Sequence, residues 1–226
     1  MMNNSIRAFR NKRVYFSGLL SLLVTGSCLL ISLGPSALFI SLNSPHPFWL
    51  NVFFINFTFM GDGIFAISLV AFYFFYFKKR NQGLALLYAL LLSAIIVQLI
   101  KNLFNSTEVT IFFEHGQYMF FTEAVTIPDH PGFPSGHTAI AFTIATLLVL
   151  FARSKKWQLP GLLAASLVGF SRIYLAQHFL VDILAGALTG VCSAMTAYIL
   201  VTRKFKVPAF NNTKKDFHPA KNIVYG

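Results

Sequence analysis

Residues 131–153 read PGFPSGHTAIAFTIATLLVLFAR. Prolines and glycines lead into an apolar run, Ser135 stands where a helix N-cap is preferred, and the run stops at Arg153, with Lys155 and Lys156 just beyond. That is the pattern of a helix that opens at a polar boundary and closes among cations. Crossing the hydrocarbon of a bilayer takes about 20 mostly apolar residues, and runs of this kind recur along the chain.

Working outward, the sequence predicts six such helices, at about 14–33, 52–77, 82–100, 134–153, 159–174 and 178–201. Gly61-Asp62-Gly63 interrupts the second, whose start could lie nearer Asp62 than Val52. The fold class expected is an all-α integral membrane protein, one domain over 1–226, with an outer loop at 102–133 and a basic tail at 203–226. Composition agrees: 56% of the 226 residues are hydrophobic, 11% are charged, and the mean hydropathy is +0.65. A soluble protein is excluded. The basic start at Arg7, Arg10, Lys12 and Arg13 resembles that of a signal sequence, but no small-residue cleavage pattern ends the first run cleanly, so we read an uncleaved first span.

Orientation follows from the cations, which gather on the cytoplasmic side of short loops. With both termini cytoplasmic, all 18 Lys and Arg residues except Lys101 and Arg172 fall on that side. The net charge of +11 is therefore dispersed over cytoplasmic boundaries, and a nucleic-acid partner is not expected. Cys28 and Cys192 sit inside apolar runs, which supports neither a disulfide framework nor a thiolate metal site.

The two exceptional cations lie at the outer face with the other polar residues of interest. Ser135 caps a helix whose first amides are unpaired; such an end attracts anions, Gly136 lets the backbone come close, and His137 stands beside it. Ser171-Arg172 closes the fifth span, and His178 and Asp182 are four apart at the start of the sixth. If both lie on one helix face, a carboxylate there fixes the imidazole tautomer and leaves the other ring nitrogen as an exposed lone pair. A guanidinium is well shaped to hold phosphate oxygens. Taken singly, the serine start is an ordinary helix cap and the His–Asp pair an ordinary structural pair. Three such groups at one face are costly in a membrane without a function.

Pro134-Ser-Gly-His137 and Ser171-Arg172-x5-His178-x3-Asp182 resemble the second and third motifs of the type 2 phosphatidic acid phosphatase superfamily. The resemblance implies a metal-independent, cofactor-free phosphatase with six spans, whose partners are the bilayer and a phosphorylated lipid. His178 would attack phosphorus and form a phosphohistidine, Asp182 would orient it, and His137 would protonate the leaving oxygen. Lys101, Ser135, Gly136, Ser171 and Arg172 would bind the phosphoryl group. The match fails at the first motif, a lysine, six residues and Arg-Pro: Lys101 is followed at that spacing by Glu108-Val109, and no arginine occurs between Arg80 and Arg153. His115 or His130 could lend charge instead, or stand as solvated loop histidines; an aminosugar phosphate could also bring its own. Asp62 reads either as a turn or helix start, or as the partner of a catalytic cation.

The expected place is the bacterial inner membrane, with the site facing the periplasm. Substrates to weigh are lipid A phosphates, favoured for the altered clamp, then undecaprenyl diphosphate, phosphatidylglycerophosphate and phosphatidic acid. A lipid-to-lipid phosphotransferase and a non-catalytic lipid-binding protein are the other classes.

Overall fold

The computed structural model describes residues 9–43, 46–104 and 132–204. Glu108, Glu114, His115, Glu123, Asp129 and His130 of the outer loop, and the tail lysines Lys214, Lys215 and Lys221, lie outside the described residues. Among the described residues the chain is helical: α1 (Arg13–Leu33), α2 (Pro35–Leu42), α3 (Phe48–Phe57), a 3₁₀ turn (Thr58–Gly61), α4 (Gly63–Phe75), α5 (Arg80–Leu103), α6 (Gly136–Phe151), α7 (Gln158–Tyr174) and α8 (Leu180–Lys204).

Helices α1, α5 and α8 are long and apolar enough to cross a membrane, and α3 with α4 forms a fourth candidate bent by 53°. Outward faces of these helices carry exposed aliphatics such as Ile31, Ile67, Ile95 and Leu200. In water that surface would be a liability; in hydrocarbon it is the solvated face. Both cysteines are free and exposed on it.

The interruption of the second apolar stretch at Gly61-Asp62-Gly63 takes definite form: the 3₁₀ turn and Asp62, in extended backbone, divide it. After α1, Gly34 in a left-handed conformation (φ 76°) turns the chain directly into α2. One sequence expectation is corrected: α8 begins at Leu180, so His178 precedes the helix instead of riding on it.

Helix α6 is the spine. Twelve of its sixteen residues are buried, and it lies between two apolar clusters. One joins it to α4, α5 and α8 through Leu86, Leu147, Leu150 and Tyr198; the other joins it to α1, α7 and α8 through Tyr15, Phe142, Val168 and Val191. Without a hydrophobic drive between lipid-immersed helices, close backbone approach carries much of the association. Gly190 of α8 supplies it, since a Cβ there would strike the carbonyl of Ala139, and Thr143 Oγ1 donates to the Gly190 carbonyl at 3.2 Å.

Opposite ends of this spine are built differently. At its C-terminal end Lys12 Nζ donates to the Ala152 carbonyl at 2.6 Å, satisfying an orphan helix carbonyl with a cation. Gln158 closes the same end by donating to Asn11 O and accepting from Tyr15 N. The N-terminal end receives the break before α4, the end of α7 and the start of α8.

Candidate active site at the N-terminal end of α6

Ser135 has extended backbone and caps α6: its Oγ accepts from Thr138 N at 3.4 Å and from Thr138 Oγ1 at 3.0 Å. Its amide donates to the Asp182 carbonyl at 3.1 Å, which fixes the start of α6 against α8. Among the described residues, a Cβ added at Gly136 would meet nothing within 4 Å. The glycine thus leaves room among them beside the helix amides, where an anion could approach.

The turn between α7 and α8 explains the spacing of the third motif. Helix α7 ends in a Schellman arrangement: Gln177 N donates to Arg172 O at 2.9 Å and Ala176 N to Ile173 O at 3.0 Å. Ala176 occupies the left-handed position (φ 56°) where glycine is usual, at a cost of about 1 kcal/mol. His178 N donates to the same Arg172 carbonyl at 3.2 Å, so six residues after Arg172 the histidine is returned to its side. Helix α8 then opens with Asp182 at its third position, and Oδ2 accepts from the amide of Phe179, the residue before the helix, at 2.9 Å. This is the reciprocal half of a capping box.

The same Oδ2 lies 3.3 Å from His178 Nδ1, with both side chains buried. Nδ1 is thus the ring nitrogen engaged by the carboxylate, and Nε2 is the one left to react. The i,i+4 pairing expected from the sequence is present, although a pre-helical turn makes it. Arg172 is only 6% exposed; Nη1 donates to Thr58 Oγ1 at 3.1 Å, and its buried Nε has no partner among the described residues. An unsatisfied guanidinium N–H in a buried site calls for an acceptor oxygen.

His137 stands in the first turn of α6, with Arg172, Asp62, His178 and Lys101 all within electrostatic reach of its ring. Lys101 comes from the last turn of α5. The structure therefore brings together His137, His178, Asp182, Arg172 and Lys101 beside Ser135 and Gly136. Ser171 is placed differently: its buried hydroxyl donates at 2.6 Å to the Val168 carbonyl of its own helix, so that its proton is already used.

Asp62 is the residue the motifs did not deliver. It caps α4, with Oδ1 accepting from Ile64 N at 2.7 Å, while Oδ2 lies 3.9 Å from His137 Nε2. Asp62 is thus a helix start, as one of its two sequence readings has it, and it also approaches the histidine that the other reading would need. The lone acidic residue within an apolar stretch was the available signal. A cavity of about 1520 Å³ begins beside this break, at Met60, Ala141 and Val168, and runs along α6 and α7 to Lys79, Arg80 and Arg153.

The family model described as the PAP2 superfamily matches residues 82–206, more than half of the chain, and this chain belongs to that superfamily. Curated relatives include the lipid A 1-phosphatase of Porphyromonas gingivalis, 38% identical over 36% of this chain and 19% of that protein. The undecaprenyl-diphosphatase of Sulfolobus acidocaldarius is 40% identical over 28% and 30%. The lipid A 4′-phosphatase of P. gingivalis is 29% identical over 68% and 67%. The chain thus spans less than a third of the length of the first two. Among solved structures, Aquifex aeolicus LpxE superposes with a TM-score of 0.61 at 31% identity, covering 72% of this chain and 93% of that one.

Proposed function

We propose that this protein is a membrane-embedded lipid phosphatase. In this reading the chain crosses the bacterial inner membrane six times, through α1, α4, α5, α6, α7 and α8. Both termini are cytoplasmic, and the site opens to the periplasm. The observation that carries it is the buried His178–Asp182 pair at 3.3 Å, set beside a helix N-terminus and a guanidinium whose Nε–H has no partner among the described residues. A sixteen-residue helix rises only about 24 Å, so the N-terminal end of α6 sits below the outer surface, at headgroup level.

The chemistry is two displacements. Asp182 accepts a hydrogen bond from the Nδ1–H of His178, which keeps its proton throughout, and the Nε2 lone pair attacks phosphorus. The phosphorus–oxygen bond to the lipid breaks, its electron pair stays on the lipid oxygen, and that oxygen takes a proton from His137. Water then gives a proton to His137 and attacks phosphorus, and the phosphorus–nitrogen bond returns its pair to His178. Arg172, Lys101 and the amides at Gly136 and His137 hold the phosphoryl oxygens. The uncatalysed barrier is among the highest in biology, and fixed charges contribute most to lowering it. The cavity starting one helical turn below His137 gives the apolar part of an amphipathic substrate a place to lie.

Lipid A phosphates are the favoured substrates, supported by two relatives named lipid A phosphatases and by the altered first motif. Undecaprenyl diphosphate is the second reading, supported by the diphosphatase relative. The test is phosphate release by purified protein from lipid A, undecaprenyl diphosphate and phosphatidylglycerophosphate, wild type against His178→Ala. Release from lipid A by the wild type alone is expected. Release confined to another lipid changes the substrate, and release retained in the variant removes the mechanism. No release from any lipid moves the protein to the transferase or non-catalytic class.

A further inference from the structure

We propose that Asp62 is a positioning residue of this site, which aims His137 and balances the charge that its ring carries while it donates a proton to the leaving oxygen; this rests on the phosphatase reading above.

The segment Thr58–Asp62 is usually what a helix break offers: a turn. Here it holds two site residues. Thr58 accepts from Arg172 at 3.1 Å, and Asp62 faces His137 at 3.9 Å. Gly61 between them is in contact with the spine itself, because an added Cβ would lie 2.7 Å from the His137 carbonyl and 2.8 Å from Val168 Cγ1. The bend is therefore seated directly against the first turn of α6.

The Asp62 carboxylate is also held, not dangling. Oδ1 is committed to the Ile64 amide, which leaves Oδ2 aimed at His137. Capping alone does not require an acid, since asparagine and serine cap as well. A carboxylate suits the N-terminal end of a helix, but it repels a phosphate that is to bind at that end of α6. It is tolerable where a cation answers it. Among the described residues, the groups acting on the His137 ring are Arg172 from α7, His178 from the α7–α8 turn, Lys101 from α5, and Asp62, the one acid of these four. When His137 carries its proton, this carboxylate offsets the adjoining positive charges, and it steers the ring from a distance at which the pair need not close.

The test compares wild type, Asp62→Asn and Asp62→Ser, each able to cap α4, on two phosphomonoesters of the same alkyl chain length. One has an alkoxide leaving group, which needs a proton; the other has a nitrophenolate, which departs without one. Because general acid catalysis contributes about 10²–10⁴-fold, both variants are expected to lose about 10- to 100-fold in kcat/KM on the alkyl ester, since that ratio covers only the steps through departure of the leaving group. On the aryl ester kcat/KM should stay near wild type, with unchanged helicity. In a His137→Ala background, Asp62→Asn should cost nothing further. Equal losses on both esters, or no loss on the alkyl ester, would overturn the proposal. A wild type inactive on both esters would instead remove the phosphatase reading beneath it.

Discussion

Asp182 does two jobs with one oxygen: Oδ2 takes the Phe179 amide and faces His178 Nδ1. The hydrogen bond that starts α8 thus also fixes the orienting carboxylate. Asp182→Asn should separate these roles. An amide can still accept from the Phe179 N–H, but it cannot select the tautomer that leaves Nε2 unprotonated. We expect kcat to fall by about 10³-fold or more with helicity and thermal unfolding unchanged, checked by kinetics beside circular dichroism; a loss under fivefold would mean that Asp182 is structural. At this scale the sequence is legible where the geometry is local. The interval from Arg172 to His178 is one Schellman turn, and that from His178 to Asp182 is one helix opening. The Asp62–His137 approach joins residues 75 apart in the chain and depends on how a bend seats on α6, so spacing could offer both meanings of Asp62 but not choose. Ser171 shows the converse: its place beside Arg172 is readable, whereas the bond from its hydroxyl to Val168 is not.

Among the elements, hydropathy is a good guide to helices that face lipid and a poorer one to those that do not. Helices α1, α5 and α8 have the length and apolar character expected of spans. Helix α6 is shorter, and its threonines, Thr138, Thr143 and Thr146, are buried, each with a hydrogen bond. A helix walled by other helices can carry such hydroxyls without meeting lipid. The break at Thr58–Asp62 was marked only by its glycines and acid, and a bend of 53° is set by what it packs on. Cations make the ends of the elements readable in a different way. Lys12, Lys78 to Arg80, Arg153 to Lys156, and Arg203 with Lys204 flank α1, α4, α5, α6, α7 and α8 at the ends away from His137. If those ends are cytoplasmic, as proposed, the 102–132 segment is expected outside. A periplasm-dependent reporter inserted there should be active; an active cytoplasmic reporter at the same position would reverse the orientation.

The molecule as a whole concentrates its polar chemistry at one end of a single buried helix and its cations at the other, with an apolar cavity running between them along α6 and α7. That division suits a substrate with a phosphate and a long apolar body, and it leaves the sides of the bundle to lipid. Lys101 and Arg172, the two cations on the wrong side of the charge pattern, both act electrostatically on His137 and His178. Their misplacement in the sequence is what the proposed phosphate site explains. The proposed chemistry turns on whether His178 takes the phosphoryl group. The direct measurement is rapid acid-free quenching of the enzyme with a ³²P-labelled lipid that it turns over, followed by peptide mapping of the bound label. An acid-labile, alkali-stable phosphate on His178 is expected, formed as fast as the first turnover and absent from His178→Ala. Label on any other residue, or full turnover with no covalent label, would contradict His178 as the nucleophile.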